Sequence, residues 1–326
     1  MRFQPRWNLK AVLLACLLIL LCFGFSLADE PNDVGMSADG YDSGFREGKP
    51  ELISKPERGP LPKGVFSFLW LGDTQLVPYY IGKYQILSDS VLGALEDRNV
   101  VCMLGTGDYV DAFPSVYQWS EFSAFIDPIR AHIPVIGISG NHDMNERMLN
   151  YEPFRTGFYG EGKADVLENC FNRGQGIYST FSAGNVEWLV VGMSYRYRNV
   201  ECQWMNEVLE KYPDRKAILL LHDYMRADGT MRQWGQKMLD NVILPHENVR
   251  LVLCGHYDGT YIREDMHPAG HTVKTVIWNQ QEDYRYFGEI KYLAVDTEKE
   301  EIVIRSETPL KPKTDSCETT FPIDLS

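Results

Sequence analysis

Five short polar segments, each directly after an apolar run, carry the side chains of this chain that could perform chemistry. They are residues 72–75, 105–111, 139–143, 222–223 and 255–259. Carboxylate, amide and imidazole groups predominate in them, and these are the usual protein ligands of divalent metals. A Gly-Asp pair after a strand is often only a turn, but turns alone do not explain five such segments. We therefore predict that the segments form one metal site.

The apolar runs before the first three segments predict the elements that position them. Residues 65–71, 100–104 and 133–138 are short and rich in strand-forming residues. The amphipathic stretches between them, residues 80–97 and 115–131, predict helices, so the order is β-α-β-α-β with parallel strands. Ligand sites in such sheets lie outside the carboxyl ends of the strands, which would direct the polar segments into one crevice.

The rest of the chain continues the alternation of strands and helices. Strands are predicted at residues 177–181, 186–192, 216–221 and 249–254, helices at 202–211 and 231–242, and an antiparallel tail at 273–279, 290–295 and 302–306. Residues 29–62, rich in Pro, Gly, Asp and Glu, predict a flexible linker. The pattern indicates one domain at residues 63–326, with two packed sheets and helices outside them.

Residues 1–28 have the pattern of a secretory signal peptide. A basic start precedes the apolar residues 11–25, and the small residues Ser26 and Ala28 then suit a cleavage site. We therefore predict a secreted or extracytoplasmic protein. An uncleaved membrane anchor is the alternative, because the apolar segment is just long enough to span a bilayer. A lipoprotein signal at Cys16 is a weaker option, because apolar residues follow it.

The formal net charge of −13 narrows the possible partners. Such an acidic chain is not expected to bind nucleic acids by general electrostatics. If the substrate is a phosphate ester, bound metal ions are the obvious local source of positive charge.

Among the cysteines, Cys102 and Cys254 lie in apolar runs and are predicted to be buried thiols, whereas Cys170 and Cys202 are candidates for a disulfide in an oxidising compartment.

The order and spacing of the polar segments resemble the calcineurin-like metallophosphoesterase family. That family has Asp-x-His, Gly-Asp-x-x-Asp, Gly-Asn-His-Asp/Glu, a lone His and Gly-His-x-His. Here the corresponding residues are Asp73-Thr74-Gln75, Gly107-Asp108-Tyr109-Val110-Asp111, Gly140-Asn141-His142-Asp143, His222 and Gly255-His256-Tyr257-Asp258. The resemblance extends from about residue 65 to the early C-terminal strands. It implies an α/β fold of the two-sheet αββα sandwich type and a phosphoesterase activity with two divalent metal ions.

The resemblance also implies a role for each motif residue. Asp108 would bridge the two ions, and Asn141, His222 and His256 would complete the second ion's site. A bridging carboxylate can give one oxygen to each of two ions that lie about 3.5–4 Å apart. Mn, Fe, Zn, Mg and Ca all remain candidates for the ions.

The first ion would be held by Asp73, Gln75 and Asp258 together with the bridging carboxylate. Gln75 and Asp258 depart from the family pattern, because a histidine stands at both positions there. Both replacements still provide oxygen ligands, which favour hard ions such as Mg, Ca or Mn.

His142 would be the acid–base residue, and Asp111 the carboxylate that orients it. The implied reaction is hydrolysis of a phosphomonoester or phosphodiester by a hydroxide held between the ions, with His142 protonating the leaving group. The alternative is an exported, non-catalytic metal-binding or scaffold protein that keeps the fold, which the departures at Gln75 and Asp258 favour.

Asp143 and Asp223 could be helix N-caps. The remaining histidines, at positions 132, 246, 267 and 271, are predicted to be surface or loop residues outside the site.

Overall fold

The computed structural model describes residues 51–53, 64–160, 169–281, 283–311 and 316–326. In chain order, its strands are β1 (Glu51–Ile53), β2 (Val65–Leu71), β3 (Val100–Gly105), β4 (Val135–Gly137), β5 (Cys170–Phe171), β6 (Gly176–Ala183), β7 (Val186–Met193), β8 (Lys216–Leu221), β9 (Val249–Cys254), β10 (Gly259–Met266), β11 (Thr272–Asn279), β12 (Ile290–Asp296), β13 (Glu301–Glu307) and β14 (Ser316–Pro322).

The helices lie between the parallel strands. They are α1 (Lys83–Leu92), α2 (Val116–Arg130), α3 (Glu152–Phe154), α4 (Asn199–Lys211) and α5 (Gln233–Met238). A π-helical turn extends α3 over Arg155–Tyr159, and another extends α5 over Leu239–Ile243. Within the described part of the chain, no helix is long and apolar enough to cross a membrane.

The strands form two mixed sheets of seven strands each. The order in the first sheet is β1-β14-β13-β12-β2-β3-β4, and the order in the second is β10-β11-β9-β8-β7-β6-β5. The neighbours β2, β3 and β4 run parallel, as do β7, β8, β9 and β11. The carboxyl ends of parallel strands therefore gather at one edge of each sheet, which is where a site in an α/β fold forms.

The alternation of side chains along the second sheet explains the layering. Val190 and Ile218 belong to the core shared with the first sheet, where Trp188 packs edge-on against Phe68 at 5.8 Å between ring centroids. The next residues along β7 and β8, among them Val191, belong to a second core, under α4 and α5. Because successive strand residues point to opposite faces, each face of this sheet is covered. The predicted αββα sandwich is confirmed.

The C-terminal strands differ from the sequence expectation. β11 pairs antiparallel with β10, as expected of the tail strands, but it also lies parallel to β9 in the second sheet, while β12 and β13 belong to the first. Alternation of apolar residues indicates a strand, but the neighbouring strand with which it pairs depends on which sheet edge is open.

The sequence analysis also missed β10, because its charged residues hide the alternation of apolar residues. These charged residues form two ion pairs, Arg263 with Asp265 at 2.7 Å and Glu264 with Lys274 at 2.5 Å.

The N-terminal predictions are largely outside the described residues. The predicted signal peptide, residues 1–28, lies entirely outside them, as does most of the predicted linker, residues 29–62. Within that linker, β1 pairs antiparallel with β14, so at least Glu51–Ile53 belongs to the first sheet.

The cysteines within the described residues are all free thiols. Cys102 and Cys254 are buried, as predicted. Cys170 and Cys202, the candidates for a disulfide, are not bonded to each other.

Candidate metal centre

The loops after β2 and β3 hold their carboxylates in a left-handed backbone conformation. Asp73 and Asp108 both have φ of 56°, and His256 after β9 has φ of 74°. Such values are unfavourable for residues other than glycine and persist where the surrounding structure enforces them. Here the loops bind each other, because the Asp73 N–H donates to the carbonyl of Gly107 at 2.9 Å and the Thr74 N–H to the carbonyl of Asp108 at 2.8 Å.

Two motif glycines are required by the close approach of these carboxylates. A Cβ atom at Gly140 would lie 2.1 Å from Oδ1 of Asp108, and one at Gly255 would lie 2.1 Å from Oδ2 of Asp73. No side chain fits at such distances, so the loops can converge only because these positions are glycine. Gly140 and Gly255 are therefore needed for the close packing of the loops rather than for backbone flexibility.

Four donor atoms from four different loops meet at the edge of the two sheets. Nε2 of His222 lies 3.1 Å from Oδ2 of Asp108 and 3.1 Å from Oδ1 of Asn141. Nδ1 of His256 lies 3.0 Å from the same Asn141 oxygen and 3.3 Å from Nε2 of His222. Asp108, His222 and His256 are also the group of metal-ligand side chains that the described residues bring within 4.8 Å of one another.

These separations fit a shared metal ion. Zinc–nitrogen bonds of 2.0–2.1 Å place tetrahedral donors about 3.3–3.4 Å apart, and octahedral donors somewhat closer. The other ring nitrogen of His222 also fits, because Nδ1 lies 2.8 Å from the Thr106 carbonyl and can only donate to it. That bond fixes the tautomer and leaves the lone pair of Nε2 directed at the cluster, as in known metal sites.

The residues expected at the first ion differ in their burial and in their contacts with this cluster. Asp73 is buried, and its Oδ1 accepts the backbone N–H of His256 at 2.8 Å. Gln75 is only 6% exposed, and its Oε1 has no hydrogen-bond partner among the described residues. A buried carbonyl oxygen without a partner costs about 1–3 kcal/mol, which a bound cation would offset. Asp258 is exposed in the turn before β10 and is not part of the cluster, so its role as a ligand stays a prediction.

The electrostatics of the centre favour bound positive charge. Burial and the neighbouring charge of Asp108 raise the pKa of Asp73 to about 7. Burial opposes the charged form of His222 as well, but the carboxylates of Asp108 and Asp73 outweigh it and raise the pKa of this imidazole to about 10. The charge and hydrogen bond of His222 in turn lower the pKa of Asp108 against the effect of burial. Two buried carboxylates so close together favour a bound cation, and a divalent ion would supply that charge.

His142 lies beside the cluster with its ring directed by Asp111. Its Nδ1 is 2.9 Å from the backbone carbonyl of Asp111 and 3.4 Å from the Oδ1 of the same residue. Nδ1 therefore carries a proton, and Nε2 is left for a substrate. The backbone N–H of His142 donates to Oδ1 of Asp108 at 2.9 Å. Burial lowers the pKa of His142, but the charge of Asp108 and the contacts with Asp111 outweigh it, so the pKa is raised.

Asp143 has a role that the sequence analysis missed. No helix begins after Asp143, so it is not an N-cap. Its two carboxylate oxygens accept the backbone N–H groups of Asp108 at 2.7 Å, Tyr109 at 2.8 Å, Gly140 at 2.9 Å and Val110 at 3.2 Å. The buried carboxylate thus binds the Gly-Asn-His loop to the Gly-Asp loop.

The structure also corrects other expectations around the centre. Asp223 is not an N-cap, and its carboxylate lies 3.3 Å from the guanidinium of Arg232. His267 and His271, two of the histidines expected on the surface or in loops, lie in the loop between β10 and β11, where they are buried and stack at 4.3 Å between ring centroids. Tyr79, which no pattern indicated, donates from its hydroxyl to the Asp111 carboxylate.

A family model described as calcineurin-like phosphoesterase matches residues 66–257, which include all the segments of this centre except Asp258. The chain belongs to the calcineurin-like phosphoesterase family.

Individual relatives are distant. The chain is 28% identical over 228 residues to the uncharacterized protein YvnB of Bacillus subtilis, covering 68% of this chain and 17% of that protein. It is 24% identical over 184 residues to a probable glycerophosphodiester phosphodiesterase, GpdQ, of Arcobacter nitrofigilis, covering 54% of this chain and 58% of that protein. It therefore spans less than two thirds of the length of either relative.

A solved structure shares the fold. The purple acid phosphatase PPD1 from yellow lupin seeds superposes with a TM-score of 0.54 at 16% identity, covering 81% of this chain and 55% of that one. At this identity the likeness shows the fold alone.

Replacing Asp143 by asparagine tests its role as a link between loops. In Asp143→Asn an amide NH₂ replaces one carboxylate oxygen, and it cannot accept hydrogen bonds from the backbone N–H groups that face it. Hydrogen bonds to a charged group contribute about 1.5–3 kcal/mol each. We expect the free energy of unfolding to fall by roughly 3 kcal/mol in urea, measured with a chelator present so that metal binding does not contribute. The matched control is Asp127→Asn, an exposed carboxylate on α2. A loss below about 1 kcal/mol in Asp143→Asn would contradict the role.

Metal content tests the two departures from the family pattern. Because Gln75 is buried with an unpartnered oxygen and Asp258 is exposed, Gln75→Ala should lower the bound metal by up to one ion per chain. Asp258→Ala should retain the metal. Both variants and the parent chain are loaded with Mn, passed through gel filtration and analysed by mass spectrometry for metal. Loss of metal in Asp258→Ala with retention in Gln75→Ala would reverse the assignment.

Proposed function

We propose that this chain is a metal-dependent phosphoesterase that hydrolyses a phosphomonoester or phosphodiester with two divalent ions. The observation that carries the proposal is the convergence of Asp108, Asn141, His222 and His256 on one point, with their donor atoms 3.0–3.3 Å apart. Membership of the calcineurin-like phosphoesterase family supports it. So does the similarity to a probable glycerophosphodiester phosphodiesterase.

The four converging residues would hold the second ion, and Asp73, Gln75 and Asp108 the first. When bound, the ions would neutralise charge on the phosphoryl group and provide a strong nucleophile from water at neutral pH. The carboxylates are buried and His222 is oriented by its hydrogen bond to Thr106, so these metal ligands are in place before the substrate arrives. Such preorganised charge is usually the largest contribution to catalysis of this kind.

His142 is placed to protonate the leaving group. Nδ1 donates to the backbone carbonyl and lies near the carboxylate of Asp111, which fixes the ring and leaves Nε2 for a substrate. The raised pKa keeps a larger fraction of the ring protonated, and a protonated Nε2 can donate to the departing oxygen. The hydroxyl of Tyr79 donates to the carboxylate of Asp111 and so helps to hold this pair.

A non-catalytic scaffold protein with the same fold is the second candidate. The exposed position of Asp258 favours it, because the first ion then has fewer ligands than in the family. The metal analysis described above separates the two, since a phosphoesterase of the proposed kind should retain nearly two ions per chain and a scaffold one or none.

Hydrolysis by the purified chain tests the proposal. The protein is loaded in turn with Mn, Fe, Zn, Mg or Ca and assayed with 4-nitrophenyl phosphate and bis(4-nitrophenyl) phosphate. We expect turnover with at least one ion, and Asp108→Asn should lower kcat at least ~100-fold because it removes the shared carboxylate. The control is again Asp127→Asn. Near-normal turnover in a folded Asp108→Asn protein, or no hydrolysis with any ion, would contradict the proposed function.

The leaving-group dependence of a His142 variant tests the proton donor. His142→Ala should slow hydrolysis of alkyl phosphates, whose alkoxides need a proton, roughly 10²- to 10⁴-fold. The same change should affect 4-nitrophenyl phosphate far less, because its leaving group departs unprotonated. His132→Ala, at an exposed histidine after α2, is the control. Equal losses on both kinds of ester would show that His142 has another role.

A further inference from the structure

A cleft of about 90 Å³ opens next to the metal centre. Its wall includes Tyr195, Arg196, Arg198, Asp223, Arg232 and Trp234. At about 30 Å³ for each water molecule, the volume is that of roughly three waters, which is sufficient for one carboxylate or phosphate group. None of the arginines belongs to the motifs of the metal centre, so the proposed reaction leaves the cleft without a role.

The cleft shares a wall with the two imidazoles of the metal centre. The Tyr195 ring lies 6.0 Å from the ring of His256 and 6.1 Å from that of His222, centroid to centroid. On the other side, Arg232 donates to the hydroxyl of Tyr257 at 3.1 Å, and the Tyr257 ring packs on His256 at 4.6 Å. The cleft is therefore a direct neighbour of the metal centre.

The charge of the cleft is opposite to that of the chain. Three guanidinium groups line it, against the single carboxylate of Asp223, although the formal net charge of the chain is −13. Arg198 forms no ion pair within the described ranges, and Arg196 pairs with Glu146, which is not part of the cleft wall. Glu146 and Asp223 each pair with one of the arginines, so the cleft keeps the positive charge of Arg198, which favours an anionic ligand.

Arg196 and Arg232 are held by neighbouring side chains, although Arg196 and Arg198 are exposed. Arg196 has φ of 72°, an unfavourable conformation for a non-glycine residue, and its guanidinium lies 5.5 Å from the centroid of the Tyr195 ring. Arg232 is held by Asp223 at 3.3 Å and by Tyr257. A fixed guanidinium binds carboxylate or phosphate oxygens through paired N–H groups, and less conformational entropy is lost on binding. The half-exposed ring of Trp234 adds an apolar wall for the organic part of a ligand.

We propose that this cleft binds a second anionic group, a carboxylate or a phosphate, on the organic part of the ester that the metal centre hydrolyses. The inference rests on the proposed function, and it names the substrate class as phosphate esters that carry a second anion. Arg196, Arg198 and Arg232 bind that anion, while the phosphoryl group occupies the metal centre.

Matched probes with and without a second anionic group test the proposal. Phenyl phosphate is compared with 3-carboxyphenyl phosphate and with 1,3-phenylene bisphosphate, whose leaving groups have similar acidity. We expect kcat/KM to be at least about tenfold higher for the two probes that carry a second anionic group. The double variant Arg196→Gln/Arg198→Gln should remove most of that preference. The larger of the two preferences identifies carboxylate or phosphate as the preferred second anion.

The control removes a positive charge far from the cleft. Lys299 is exposed in the turn between β12 and β13, and the pairing of Asp296 with Val65 places this turn at the edge opposite the metal centre. Lys299→Gln should leave the preference unchanged. An equal loss in this variant would show a general effect of net charge and would overturn the assignment to the cleft.

Binding of phosphonates separates failure of the cleft from failure of the reaction. Phenylphosphonate and 3-carboxyphenylphosphonate resist hydrolysis, and their affinities for the Mn-loaded chain are measured by calorimetry. A tenfold preference for the carboxylated probe that the double variant loses would support the cleft even if no ester were hydrolysed. Hydrolysis without any preference in rate or affinity would leave the proposed function in place and overturn the cleft as a site for a second anion.

Discussion

Buried negative charge at the ends of two neighbouring strands is the constraint on which the rest of this structure depends. Asp73 and Asp108 follow β2 and β3, are almost fully buried and lie close enough to perturb each other's ionisation. Unpaired buried charge is strongly unfavourable, so the surroundings must compensate it. Backbone N–H groups, the imidazole of His222 and the site's capacity for metal ions provide that compensation.

This constraint explains the backbone around the centre. The loops adopt left-handed conformations at three non-glycine positions so that their side chains face inward, and neighbouring glycines allow them to approach. Asp143 holds two of the loops together through four backbone N–H groups. The strain and the buried polar groups are tolerated because two large apolar cores stabilise the sheets from which the loops project.

In the proposed function, the metal centre and the arginine cleft would divide the recognition of an anionic substrate in a chain that is acidic as a whole. General electrostatics would repel such a substrate, so attraction must be local. Carboxylate-bound ions would provide it for the phosphoryl group. Oriented guanidinium groups, whose charge does not change with pH in the physiological range, would provide it for a second anion.

The sequence by itself determined the parts of this protein whose signals are local. The spacing of Asp108, Asn141 and His142 after short apolar runs was sufficient to place them at one edge of a parallel sheet. The β-α-β-α-β order was readable for the same reason, because strand and helix periodicity and right-handed crossovers are properties of short segments. The family resemblance depended on those same motifs.

Only the tertiary structure decided which distant groups meet. Asp143 accepts hydrogen bonds from residues about 35 positions earlier, β11 joins the second sheet rather than the first, and Asp258 lies exposed although its motif position suggested a ligand. The arginines of the cleft come from two loops, before α4 and before α5, and neither loop has a recognisable motif. Such contacts depend on how the sheets pack and where the connecting loops turn, and local sequence patterns do not encode either.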